Sequence, residues 1–395
     1  MRRALGILVM LCIAVVAIQG QDAKTVLETF RRNFAIASLD VKIQILQDAA
    51  GGKSAREMGP LFQQAIDFVI DNASLIPGDP RFLQLAALAA EQIAVAAFVP
   101  ARYSVWKLFQ IDSDTTTLVR AAGALGVIGA GDDEIIGDLN RYLETQNTLF
   151  SSGKPADLQV IAACVQALGK LADPSSFPVV FSSMNLGYSE QMSVAAREAL
   201  LAIKGDFKES ILAVIRTRTF AEKRMALAMA LDSNRLSEEQ KAQVAEIALD
   251  AGLHSVAADS AGKTALRELR FLAARGLSER KWSRATGLLI EHIDATIAEY
   301  DKSLADKRYL LEAAAALGAM GTHEAAVRLT QYLVLVNSYT EKSKGYDEQV
   351  VMGIIAALGT LGDKVGYNDL LYTQYINYSA AVKKAARAAL DKLKW

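Results

Sequence analysis

Apolar positions along this chain recur with the period of a helix rather than alternating, so the pattern predicts short amphipathic helices separated by turns. Val160-Ile161-Ala162-Ala163-Cys164-Val165 is one such helical run. Runs of period two rich in β-branched residues are nearly absent, which predicts no sheet and an all-α chain. The helix starts are marked by cap residues ahead of the periodic stretches: Asp79-Pro80, Asp132, Asp157, Asp173-Pro174, Ser189, Ser237-Glu238-Glu239 and Asp347. Proline suits a first helical position, where its missing N–H would have no partner in any case.

The pattern also repeats. Shifted by 190 positions, residues 141–204 align with 331–394 without a gap, and 20 of the 64 pairs are identical. They include Tyr142/Tyr332, Asn147/Asn337, Asp157/Asp347, Gln159/Gln349, Asp173/Asp363, Tyr188/Tyr378 and Arg197/Arg387. Matched alanines carry little weight in so Ala-rich a chain; matched Tyr, Asn, Gln and Asp carry more. A finer period lies inside each copy. Ala124-Leu125-Gly126 and Ala167-Leu168-Gly169 are 43 residues apart, and Ala316-Leu317-Gly318 and Ala357-Leu358-Gly359 are 41 apart. That spacing fits one helical hairpin and its connections.

Val119-Arg120-Ala121-Ala122-Gly123-Ala124-Leu125-Gly126-Val127-Ile128-Gly129 resembles the second helix of a HEAT repeat, and Ala167-Leu168-Gly169-Lys170-Leu171-Ala172-Asp173-Pro174 resembles its exit turn. The resemblance is clear over 80–204 and 300–394 and faint over 22–78 and 206–300. It implies a HEAT-like α-solenoid, a right-handed superhelix of helical hairpins, in two tandem copies of about 190 residues, 21–205 and 206–395. It further implies an Asp–Arg ladder along the stack, for which Asp173 and Asp363 with Arg120, Arg197 or Arg387 are the candidates. The small residues Gly126, Gly169, Gly318 and Gly359 are expected to let helices approach closely and to supply the left-handed residue that ends a helix.

Composition narrows the picture. The chain is 52% hydrophobic but only 7% aromatic, and its formal charge is −1, so no global field draws nucleic acid or an anionic membrane. Arg2, Arg3 and the apolar run Leu5 to Ile18 read as an export signal over 1–20, cleaved after Gly20 or Ala17. No later stretch is long and apolar enough to span a bilayer. Beyond the signal only Cys164 remains, so no internal disulfide is available, and its helical pattern predicts a buried small hydrophobe.

No catalytic signature emerges. His254, His292 and His323 are not spaced as metal ligands. Gly123, Gly126, Gly129 and Gly131 have the wrong order for a phosphate loop. Two features stand out from the background. One is the basic stretch Lys263, Arg267, Arg270, Arg275, Arg280, Lys281 and Arg284, opposed in sequence only by Glu268 and Glu279 and carrying Trp282. The other is a pair of matched loops, 147–155 and 337–345, bearing Phe150 and Tyr339. Tyr188 and Tyr378, each ahead of a Ser cap, are expected to pack onto the helix that follows.

These readings favour a non-enzymatic scaffold that holds protein partners in the bacterial periplasm or envelope, without cofactor or metal. One alternative is a binder of an anionic envelope polymer or lipid surface through 263–284. The other is an enzyme, since some HEAT-like families are lyases acting on bilin pigments; it needs a convergent acid/base cluster that the sequence does not show.

Overall fold

The computed structural model describes residues 23–52, 55–342 and 346–394; the export segment expected at 1–20 lies outside them. All regular elements among these residues are helical, apart from one isolated bridge between Asp363 and Lys394. The chain divides into two compact units, 1–205 and 206–395.

The first unit contains α1 (Ala23–Ile36), α2 (Leu39–Gly51), α3 (Gly59–Asp71), α4 (Arg81–Ala96), α5 (Arg102–Ile111), α6 (Thr115–Ile128), α7 (Asp133–Ser151), α8 (Leu158–Leu171), α9 (Phe177–Asn185) and α10 (Glu190–Ala202). The second contains α11 (Phe207–Thr217), α12 (Phe220–Asp232), α13 (Glu238–His254), α14 (Ser260–Glu279), α15 (Thr286–Asp301), α16 (Lys307–Gly318), α17 (His323–Glu341), α18 (Glu348–Leu361), α19 (Tyr367–Tyr372) and α20 (Ala380–Leu390). Within each unit, consecutive helices pair as hairpins, odd-numbered helices pack on odd and even on even. Among the described residues each unit is therefore a two-layered stack of five hairpins, an α-solenoid in which one hairpin buries the apolar face of the next.

The expected caps form. Asp132 accepts from the N–H groups of Glu134 and Ile135, Asp157 from Gln159 and Val160, Ser189 from Met192, and Asp347 from Gln349. Ser237 and Gln240 close a reciprocal capping box on α13. Asp79 accepts from the Arg81 N–H at 3.0 Å, and Asp173 starts a short 3-10 turn before α9.

The Ala-Leu-Gly triplets act differently from one half of the expectation. Gly126, Gly169 and Gly359 lie inside α6, α8 and α18, Gly318 is the last residue of α16, and none of the four has a positive φ, so none ends its helix in a left-handed turn. They set the approach of even-layer neighbours. A Cβ on Gly126 would stand 2.8 Å from Ala167 Cα, and one on Gly169 2.8 Å from Ala199 Cα. On Gly318 it would meet Ala357 Cβ at 2.8 Å, and on Gly359 Ala389 Cα at 3.1 Å. In each unit the alanine of the second triplet thus seats on the glycine of the first, and Ala199 and Ala389 seat in the same way on the glycines of the second triplets. The left-handed positions come three residues later, at Ala172 (φ 55°) and Gly362 (φ 66°), which match under the shift of 190. Alanine is strained there, whereas glycine is not. Ala172→Gly is therefore expected to stabilise the first unit by up to about 1 kcal/mol, read as a higher urea midpoint; a lower midpoint would refute the strain.

The other matched polar residues make matched bonds. Tyr188 Oη donates to Asn147 Oδ1 at 2.9 Å, and Tyr378 Oη to Asn337 Oδ1 at 3.1 Å. Each Asn amide donates onward to a backbone carbonyl, Val179 at 3.2 Å and Asp369 at 3.4 Å. Both asparagines are buried, so an unpaired amide would be costly, and the Tyr–Asn pairing is what the repeat preserves. The tyrosines thus bond back to the long odd-layer helix rather than only packing onto the next one.

Candidate functional site

The basic stretch runs along α14 and through the turn into α15. α14 ends with Lys281 in the left-handed region (φ 49°), and the N–H of Trp282 returns to Leu277 O. Ala97 and Phe98 close α4 by the same turn, with Phe98 N–H returning to Ile93 O. Lys281 and Trp282 therefore occupy a helix-ending turn that the first unit builds from apolar residues. The Trp282 indole N–H donates to Glu246 at 2.7 Å.

The arginines are not a free cationic face. Arg267 and Arg270 both bind the carboxylate of Glu299, Arg267 at 3.2 Å, and Arg270 is buried. Arg275 pairs with Glu312 at 2.7 Å, Arg280 with Glu238 at 2.9 Å, and Arg284 with Glu246 at 3.5 Å. All four carboxylates come from the neighbouring helices α13, α15 and α16, so the sequence-level opposition of Glu268 and Glu279 alone understates the balance. Glu268 itself pairs with Arg224. Lys263 and Lys281 are exposed and make no ion pair among the described residues. The pairing engages all five arginines and leaves only Lys263 and Lys281 without a carboxylate, which weakens the case for a polyanion footprint.

The matched loops are mostly helix. α7 extends to Ser151 and α17 to Glu341, so Phe150 and Tyr339 sit on last turns, and residues 343–345 lie outside the described set. Phe150 packs on Tyr188, ring centroids 4.0 Å apart, and Tyr339 stacks on Tyr346 at 6.3 Å. Phe150 belongs to the first unit, and Tyr339, in the second, lies on α17 whereas the basic stretch lies on α14 and the turn that follows it. The expected Asp–Arg ladder does not form at the candidate residues. Asp173 and Asp363 cap backbone N–H groups, and Asp363 also faces His323 at 2.8 Å. Arg120 pairs with Glu91, Arg387 donates to Gln374, and Arg197 is exposed.

His292 was invisible as anything special in the sequence. It is fully buried on α15 against Phe271, ring centroids 4.6 Å apart, and neither ring nitrogen has a hydrogen-bond partner among the described residues. Burial first, and then the nearby Arg270 guanidinium, push its pKa down to about 3. The fold therefore holds a neutral imidazole, while the unfolded chain binds a proton below about pH 6.5. Stability from this site is complete above that pH and is lost as pH falls toward 3, at about 1.4 kcal/mol per pH unit. Urea unfolding of the wild type and of His292→Phe at pH 7 and pH 4.5 checks this. The wild type is expected to lose more stability than the variant, and equal losses would refute it.

Among the described residues no group of His, Cys, Asp and Glu is placed to hold a metal ion, and no helix is long and apolar enough to cross a membrane. Cys164 is buried on α8, and burial pushes its thiol up to about 12, far from a reactive thiolate.

No family model and no curated protein matches this chain. It is similar to a solved structure described as a circular tandem repeat protein with novel repeat topology and enhanced subunit contact surfaces, at 14% identity, covering 93% of this chain and 75% of that one, with a TM-score of 0.16. A likeness at that score carries no argument, and the α-solenoid assignment rests on the stacked hairpins themselves.

Proposed function

We propose that the protein is a non-enzymatic scaffold that binds protein partners along the even-layer helices of its first unit. One observation carries this reading. Every even-layer helix of that unit exposes a large aliphatic side chain: Val41 on α2, Val95 on α4, Val127 on α6, Leu158 on α8, and Val194 and Leu201 on α10. None of the even-layer helices of the second unit does so among the described residues. Single exposed aliphatics are ordinary, but one on each of five successive stacked helices is the pattern of a contact surface. The finer assignments belong to the same proposal. They are a HEAT-type right-handed superhelix, supported by the 41–43 residue period, and an exported, periplasmic or envelope setting, supported by the apolar run at 5–18.

The test is photo-crosslinking of the full-length protein in its native cells, with the crosslinker at Val127 or Val194 and, as a control, at exposed Lys384 on α20. A defined protein adduct at the first two positions and not at the third is expected. Equal labelling at all three, or none at Val127 and Val194, would overturn the assignment of the face.

A further inference from the structure

A cavity of about 470 Å³ opens between α5, α6 and α7 in the first unit. Its walls are aromatic. Trp106 stacks on Phe109 with centroids 5.4 Å apart and planes 14° apart, and Phe109 meets Tyr142 edge-on at 4.9 Å and 79°. Two carboxylates, Asp112 and Asp138, and one guanidinium, Arg141, line it with Gln110, Leu118 and Thr145, so its formal charge is negative. Asp112 Oδ1 accepts from the N–H groups of Ser113 and Asp114 at 2.7 and 2.9 Å, while its Oδ2 is buried in the wall without a donor among the described residues.

Elsewhere this protein covers such rings with its own cations. Lys42 Nζ lies 4.5 Å from the Phe34 centroid and 4.6 Å from that of Phe68, beside a second cavity of the first unit, of about 390 Å³. Arg328 lies 6.0 Å over Tyr332. Among the described residues no cation lies over Trp106, Phe109 or Tyr142. The comparison with Tyr332 is internal and direct. Tyr142 matches Tyr332 under the shift of 190, and the residue matching Arg328 is Asp138. Where the second unit places a guanidinium over the ring, the first places a carboxylate beside it and leaves the ring uncovered.

We infer that this cavity binds an alkylated ammonium cation. Aromatic faces attract a cation through their quadrupole, and the attraction is strongest when little hydration must be removed. A quaternary ammonium is weakly hydrated and meets that condition, whereas a bare lysine ammonium is a compact, strongly hydrated charge. The two acidic groups supply the sign. Arg141 competes from inside through its ion pair with Asp138, but its side chain is 76% exposed, and such a pair holds weakly against a ligand. The site stands apart from the aliphatic contact face proposed above and does not depend on it.

Calorimetric titration of the full-length protein at low salt tests the inference. Choline is the small-molecule probe, a peptide bearing one trimethyl-lysine is the second, and 3,3-dimethylbutan-1-ol is the neutral isostere of choline. A Kd of about 1 mM or tighter is expected for at least one of the two cations, with the isostere at least about tenfold weaker than choline. Which cation binds more tightly distinguishes a free metabolite from a modified protein tail. Asp138→Arg, which installs the second unit's own cation, is expected to weaken binding at least about tenfold while the helical circular dichroism is unchanged. Arg141→Gln, the second unit's residue at that position, is expected to strengthen it. The inference is overturned if neither cation binds below about 20 mM, or if the isostere binds within about twofold of choline. The isostere comparison needs no variant and so holds even if a substitution unfolds the chain.

Discussion

Gly126→Val is expected to destabilise the first unit by about 3 kcal/mol, at the upper end of what overpacking costs. The space at this position is closed by backbone. An added Cβ would stand 2.8 Å from Ala167 Cα and 3.3 Å from Ala167 O, atoms that cannot rotate aside as the tip of a side chain can. The branched methyl groups of valine extend further into α8, so accommodating them requires α6 and α8 to separate along a contact that is fully buried. Gly123 on the same helix is the matched control, because nothing lies within 4 Å of its Cβ position. There Gly123→Ala is expected to raise stability by up to about 1 kcal/mol, through helix propensity alone. Urea unfolding followed by circular dichroism reads both. If Gly126→Val and Gly123→Ala change stability by similar small amounts, the close approach is not what the triplet is for.

Glu299→Ala is expected to cost the second unit about 3 kcal/mol. Removing this carboxylate strands two guanidinium groups, and the Arg270 side chain, only 8% exposed, cannot turn to water. It also abuts the neutral, unpartnered His292, which offers no compensating negative charge. The loss comes from leaving a buried charge unpaired rather than from the intrinsic worth of the pair. Replacing both partners by apolar residues, Arg270→Met with Glu299→Leu, is accordingly expected to recover most of it. Thermal or urea unfolding of the single and double variants measures the difference. A double variant as unstable as Glu299→Ala would show that the Glu299–Arg270 pair itself, and not burial of the lone guanidinium, holds α14 to α15.

Helix starts were legible in the sequence because they are local: Asp132, Asp157, Ser189, Ser237 and Asp347 each act within three residues of themselves. The hairpin period was legible because the chain repeats it. Relations between hairpins were not, since they depend on which residues thirty to forty positions apart come face to face. The partners of Arg267, Arg275 and Arg284 lie 32, 37 and 38 positions away, so a stretch that reads as cationic along the chain is balanced across it. Gly126 was misassigned in part for the same reason. A glycine near a helix end and a glycine under a crossing helix look alike in one dimension, and only the position of Ala167 separates them. The matched Asn147 and Tyr188 showed as a repeated pair in the sequence, but their mutual hydrogen bond spans 41 residues and needed the fold.

The glycine–alanine contacts have a mechanical consequence. At Gly126, Gly169, Gly318 and Gly359 the crossing helices meet as backbone against a methyl group, with no long side chain of the glycine position keyed between them. Such a joint resists separation, because the surfaces are close and dry. It resists a change of crossing angle much less, because nothing protrudes to lock it. At these joints each unit is thus stiff in tension and compliant in bending, so that its curvature can change without any hairpin unfolding.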